Sequence, residues 1–236
     1  MNRLWSTLQL DFRQQQRNGF YYAALFVMGF WLLGIHFTAL KNVEPSSFVP
    51  LFIGMNALLT AFYFVAAQVL LEKGEGTLAG LTVTPLRREE YLASKVFSLA
   101  AITLFEGLVV IFSAFGLPHN LPWLLLGMLG VSAVYTLIGF WLTSRYESLN
   151  QLLMPSVLAI LFLLLPLGAV LGVPWQWFFW HPLMPALQLV QASAGPLPIG
   201  QMFYGLAGTA AWVWLWFGLA RGAFDRFVQP TAGREV

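Results

Sequence analysis

FVPLFIGMNALLTAFYFVAAQVLL, residues Phe48–Leu71, runs directly into EKGEGTLAGLTVTPLRREEYLASK, residues Glu72–Lys95. The first stretch has no charged side chain and is long enough, as a helix, to cross a hydrocarbon core of about 30 Å. The second stretch carries four glutamates beside four basic residues and belongs in water. The junction therefore predicts a membrane helix emptying into a charged loop.

Working outward, five more apolar runs lie near Phe20–Leu40, Val96–Leu117, Pro122–Thr143, Leu152–Gly172 and Met202–Ala220. The expected fold is an all-α integral membrane protein with six transmembrane helices in a single domain over residues 1–236. With the N-terminus inside, eleven of the twelve lysines and arginines fall on the cytoplasmic side and Lys41 alone lies outside. The expected location is the inner (cell) membrane, with both termini cytoplasmic. Residues 173–201 are apolar but broken by Pro174, Pro182, Pro185, Pro196 and Pro198, which predicts an external or re-entrant segment before the last span, not a seventh crossing. Its Trp175, Trp177 and Trp180 suit the headgroup level, as anchors or as a cap.

Composition limits the function. At 58% hydrophobic and 9% charged residues, with mean hydropathy +0.72, no ordinary soluble domain is possible, and the six spans leave no room for a soluble catalytic unit. The net charge of +2 is explained by cations at the membrane face, so nucleic acid is not an expected partner. The absence of cysteine excludes disulfides and thiolate chemistry. In residues 1–18, Leu4, Trp5, Leu8 and Phe12 recur at helical spacing against Arg3, Asp11, Arg13 and Gln14–Gln16. That pattern predicts an interfacial amphipathic helix, with a frayed tail as the alternative.

Within the 72–95 loop, Gly74 and Gly76 permit a turn out of span two, and Leu78, Leu81 and Val83 make a small apolar face. Thr84 and Pro85 suit the N-cap and first turn of a new helix running through Arg87–Lys95 into span three. The loop is either a solvated connector or a short docking helix. Glu106 is an acid near the middle of span three, where a charge costs about 2.5–3.5 kcal/mol on insertion scales. It is expected to be a substrate-path or proton-sensitive group, or else a neutral acid hydrogen-bonded between helices. Asn56, Thr60, Tyr63 and Ala67 in span two, and Ser132, Thr136, Gly139 and Thr143 in span four, each form one helical stripe. Such stripes pack helices or line a pathway. The three histidines, His36, His119 and His181, have no metal-ligand spacing, and no metal site is expected.

Motifs for other chemistry are incomplete. Gly130-Val131-Ser132-Ala133 resembles the GxSG of rhomboid proteases, but the last glycine is missing and span six has no histidine. Glu89-Glu90 resembles the EExxxR of prenyl-protein-processing metalloproteases, but Ser94 replaces the arginine and no HExxH occurs. No lysine follows a glycine, so no phosphate loop for ATP is present.

Glu72, Gly76, Thr77, Leu78, Leu81, Thr84, Pro85, Leu86 and Lys95 resemble the first cytoplasmic loop of type-2 ABC exporter permeases. Leu10-Asp11-Phe12-Arg13 and Asn18-Gly19-Phe20-Tyr21 are most similar to the fluoroquinolone-export group of that family. The resemblance implies a non-enzymatic transport subunit that exports hydrophobic or amphipathic compounds by alternating access. It implies a second permease chain, identical or not, and separate ABC ATPase subunits that carry ATP and Mg, with no cofactor in this chain. Residues 76–83 would be the coupling helix, with Glu72, Gly76, Thr77, Leu78, Leu81, Thr84 and Pro85 forming the coupling site, and Asn56, Thr60, Tyr63 and Glu106 would border the substrate path. Two other classes compete with this expectation: an ATPase-independent membrane scaffold and a rhomboid-like intramembrane protease.

Overall fold

The computed structural model describes residues 3–38, 43–75 and 86–228. Among them no strand occurs. The helices are α1 (Arg3–Arg17), α2 (Phe20–Phe37), α3 (Pro45–Gly74), α4 (Arg88–Phe115), α5 (Leu121–Thr143), α6 (Leu149–Leu164), α7 (Met184–Ala192) and α8 (Ile199–Val228). Six of them, α2, α3, α4, α5, α6 with its 3₁₀ extension, and α8, are long and apolar enough to cross a membrane. The protein is a multi-pass membrane protein with the six spans its sequence predicts.

The expected N-terminal helix forms over Arg3–Arg17, and Gly19 at φ 78° turns the chain sharply from α1 into α2. Only glycine takes that left-handed conformation without strain. The start of α4 differs from expectation. Arg87 is extended (φ −83°, ψ 149°) and the helix begins at Arg88, so the N-cap is Arg87, whose backbone N–H donates to Glu90 Oε2 at 2.9 Å. The carboxylate of Glu90 satisfies a free helix-start donor and complements the dipole, and this local solution displaces the expected cap at Thr84. Thr84 and Pro85 themselves, with Gly76, Thr77, Leu78 and Leu81, lie outside the described residues.

The most apolar windows of α3 and α5 are 72% and 78% buried, against 17% for α2 and 6% for α8. Helices α3 and α5 are therefore the centre of the bundle, and the others present broad apolar faces outward. The centre is held by packing, because hydrocarbon outside is as apolar as leucine inside. A Cβ at Gly139 of α5 would lie 2.9 Å from the Phe62 carbonyl oxygen and 2.7 Å from Val65, so the two backbones meet closely there. Trp31 of α2 stands edge-on to Phe52 of α3 at 5.0 Å, and Phe52 stacks on Phe48 at 5.9 Å.

Residues 173–201 contain a 3₁₀ turn, Trp175–Phe178, and then α7, eight of whose nine residues are buried. Nine helical residues rise only about 13 Å, too short to cross a membrane. α7 is wedged between α5 and α8 and also touches α3. Glycines make the room: Gly127 and Gly130 on α5 face Ala186 and Val190, and Gly205 and Gly208 on α8 face Pro185 and Leu189. Trp177, Phe179 and Trp180 stay exposed, while His181 is buried. His181 Nδ1 accepts from the Leu183 N–H at 3.2 Å, which leaves Nε2 to donate to the Phe162 carbonyl at 3.0 Å. Burial pushes its pKa down to about 4, so it is neutral through the physiological range.

Charged groups gather at one end. Arg17 pairs with Glu75 at 2.7 Å, Arg221 of α8 with Glu89 of α4 at 2.9 Å, and Lys73 Nζ donates to the carbonyls of Ser144 and Tyr146 at 2.9 and 2.6 Å. The ends of α3, α5 and α8 thus share a face with α1 and the start of α4, as six alternating crossings require.

Candidate functional site

Two polar groups sit one above the other along α4. The lower one is an ion cluster. Lys95, 1% exposed, places Nζ 2.5 Å from Asp11 Oδ1 and 2.6 Å from Glu72 Oε1. Tyr91 donates to Glu72 Oε2 at 2.5 Å, and Ser94 donates to the other oxygen of Asp11. The second carboxylate oxygen on each side is thereby satisfied. A buried ion pair recovers its desolvation cost only when such secondary bonds are made. One helical turn on, Gln15 Nε2 donates to Ser98 Oγ at 3.0 Å, and the Tyr21 hydroxyl donates to Gln15 Oε1 at 3.3 Å. α1 is amphipathic in an unexpected sense: its polar residues Asp11 and Gln15 turn inward against α4, while Trp5 is exposed.

The upper group lies mid-bundle. Asn56 Nδ2 donates to Glu106 Oε2 at 2.9 Å, and the Thr60 and Thr103 hydroxyls are 3.2 Å apart. All four side chains are buried, and Glu106 Oε1 has no hydrogen-bond partner among the described residues. The backbone at this level is unusual, because residues Leu58–Tyr63 form a π-helical turn within α3. A π turn advances fewer degrees per residue than an α-helix, and such turns concentrate at functional sites.

This turn divides the stripe that the sequence suggested. Asn56 and Thr60 point inward to Thr103 and Glu106, whereas Tyr63 and Ala67 are half-exposed, in phase with exposed Met55 and Leu59. The structure therefore joins Asn56, Thr60 and Glu106 and leaves Tyr63 apart from them. Glu72, placed by sequence at the mouth of the loop, is buried in the ion cluster instead of facing water. The remaining coupling residues expected from sequence lie outside the described residues. Asp11, Tyr91 and Ser94 were missed as site residues. The available signal was a lone acid in α1 and a lysine entering span three, each in need of a buried partner. In span four, Ser132, Thr136 and Thr143 are all buried, beside the close contact at Gly139.

Comparison with known proteins fits this picture. The model of the fluoroquinolones export permease protein family matches residues 2–231. The chain belongs to the fluoroquinolones export permease family. Two curated relatives, each named fluoroquinolones export permease protein and drawn from two strains of Mycobacterium tuberculosis, are 31% identical over 166 residues, covering 70% of this chain and 69% of theirs. In this export permease the polar ladder runs along α4 from Tyr91 and Lys95 through Ser98 and Thr103 to Glu106. It joins the charged end of the bundle to the membrane interior.

The Asn56–Glu106 contact makes a stability prediction. Glu106→Gln keeps an acceptor for Asn56 and should leave the melting temperature within a few degrees of wild type. Glu106→Leu strands the Asn56 amide and should cost about 1–3 kcal/mol. Thermal unfolding of the detergent-solubilised protein checks both.

Proposed function

We propose that this permease is the membrane-spanning subunit of an ATP-driven exporter of the ABC type, moving amphipathic compounds such as fluoroquinolones outward by alternating access. The charged end of the bundle faces the cytoplasm in the inner membrane, with both termini there. Separate ATPase subunits carrying ATP and Mg dock on the 76–85 segment, and a second permease chain, identical or not, completes the path. Asn56, Thr60 and Glu106 are the polar contacts of the substrate path; Tyr63 belongs to it through the half-exposed face of α3.

The observation that carries this reading is the ion cluster at the root of the loop. Glu72 stands four residues before Gly76 and Lys95 stands ten after Pro85, and they hold each other and α1 through one buried triad. A push on the loop then moves α1, α3 and α4 together instead of flexing a loose connector. Gly76, Thr77, Leu78, Leu81, Thr84 and Pro85 supply the contact with the motor.

The test is ATPase stimulation. With the ABC ATPase reconstituted beside the permease, Leu78→Asp with Leu81→Asp should leave the permease folded in the membrane and abolish stimulation of ATP hydrolysis. Retained binding and stimulation would make the loop a connector and overturn the coupling assignment.

A further inference from the structure

A cavity of about 250 Å³ lies between α1, α2 and α4. Phe12, Tyr21, Leu25, Met28 and Phe105 line it, and it is hollow because Ala24 of α2 and Ala101 of α4 bring only methyl groups to its wall. The polar ends of its neighbours turn away. The Tyr21 hydroxyl donates to Gln15 Oε1 at 3.3 Å, and the Glu106 carboxyl is buried behind the wall, with Oε2 on the Asn56 amide of α3. What faces the cavity is therefore hydrocarbon and aromatic ring. Leu25, Ala101 and Phe105 are exposed, so the mouth opens on the outer surface of the bundle, where hydrocarbon lies.

We infer that this cavity holds one acyl chain of a membrane phospholipid, laid along α2 beside α1. Its chemistry, direction and position select that occupant. Apolar cavities of about 150 Å³ already stay dry and accept apolar guests, so water does not fill this larger one. A polar compound finds no hydrogen-bond partner on the wall, whereas an acyl chain needs none. Tyr21 and Met28 stand two turns apart, so the lining runs about 10 Å along α2. It begins at Phe12 of α1, at the charged end of the bundle, and leads into the membrane interior, as an acyl chain does below its headgroup. Arg13, the residue after Phe12, is exposed on α1 and puts a cation at the level of the lipid phosphate. The occupant also has work to do there. α1 is tied to α4 on its polar side by Asp11 and Lys95, and the acyl chain fills the gap beside Phe12 on its apolar side. The inference stands independently of the exporter reading.

The experiment uses the full-length permease in phosphatidylglycerol nanodiscs that contain, as a minor component, phosphatidylglycerol with a diazirine in the middle of one acyl chain. After illumination, the labelled residues are mapped by mass spectrometry. Labelling at Phe12, Leu25, Met28 and Phe105 should exceed, at least fivefold per residue, that at Leu158 and Trp214, which are 71% and 77% exposed on α6 and α8. Ala101→Trp, which fills the cavity from an exposed wall position, should lower the cavity labelling at least fivefold and leave Leu158 and Trp214 within twofold of wild type. Cavity labelling within twofold of that at Leu158 and Trp214 in wild type overturns the inference, since the lipid is then only the surrounding bilayer. Unchanged cavity labelling in a folded Ala101→Trp variant overturns it as well, and the wild-type comparison decides alone if that variant does not fold. An added fluoroquinolone should leave the cavity labelling within twofold. Loss of the label on its addition would make the cavity a site for that compound and overturn the lipid assignment.

Discussion

Lys95→Met should be among the most damaging single substitutions in this chain, lowering stability by about 3–5 kcal/mol, because it leaves Asp11 and Glu72 buried close together without the Lys95 ammonium between them. The cost comes from stranded charge, not from a lost attraction, and this makes a second result predictable. Adding Asp11→Asn and Glu72→Gln to Lys95→Met removes every charge of the triad and should restore most of the lost stability. Asp11→Asn alone keeps a one-to-one pair between Lys95 and Glu72 and should cost less than Lys95→Met. Thermal unfolding of the four proteins, followed by fluorescence-detected size exclusion, gives the order directly. If the triple variant is no more stable than Lys95→Met, the triad is not what holds α1 and the loop root together. The same triple variant should lose ATPase stimulation although it folds, since a neutral junction no longer binds the three elements firmly.

The second large effect is steric. A side chain at Gly127 would place its Cβ 2.6 Å from the Val190 backbone nitrogen and 3.0 Å from the Ala186 carbonyl oxygen. Neither is the end of a flexible side chain, so α7 must shift away from α5. Gly127→Leu should therefore cost about 1–3 kcal/mol or more and loosen the whole 173–201 segment. Gly218→Leu on α8 is the control, because nothing lies within 4 Å of that position. It should unfold like wild type. Protease sensitivity of the 173–201 segment, compared between the two variants, shows whether α7 has been displaced. Equal sensitivity would mean that the wedge between α5 and α8 tolerates a side chain.

Much of the fold was legible because membrane crossing is a one-dimensional problem. A run such as Phe48–Leu71 must satisfy its own backbone hydrogen bonds, so length and hydropathy alone identify the helix. The alternation of the spans also explains why the charged groups around Lys73, Glu75, Lys95 and Arg221 collect at one end. The N-terminal helix was legible by period, but its inward face was not. Hydrophobic spacing set Leu4, Trp5, Leu8 and Phe12 against the polar face of an interfacial helix, while the structure buries Asp11 and Gln15 of that polar face because α4 offers Lys95, Ser94 and Ser98 at the right height.

The candidate site was legible in part. Glu106 stood out from sequence because an acid deep in a span is costly enough to need a reason. Its partner Asn56 was on the predicted stripe. Tyr63 was grouped with them by a 3.6-residue period, and the period fails across Leu58–Tyr63, where the helix widens. Nothing in the residues LLTAFY announces a π turn. It stands where α5 comes close at Gly139, and side-chain propensity carries no record of that neighbour.

By itself, then, the sequence determined that the chain crosses a membrane six times, that all but one of its lysines and arginines share one side, and that Glu106 and the 72–95 loop are the places to look. These follow from the transfer cost of polar groups into hydrocarbon, which each segment feels independently of the others. The tertiary structure alone decided that Asp11 closes the triad with Lys95 from 84 residues away, that α7 lies wedged among glycines, and that a cavity opens beside Glu106. These depend on which helix faces which. Between helices already in the membrane that choice rests on close packing and on pairing buried polar groups, neither of which any single segment contains.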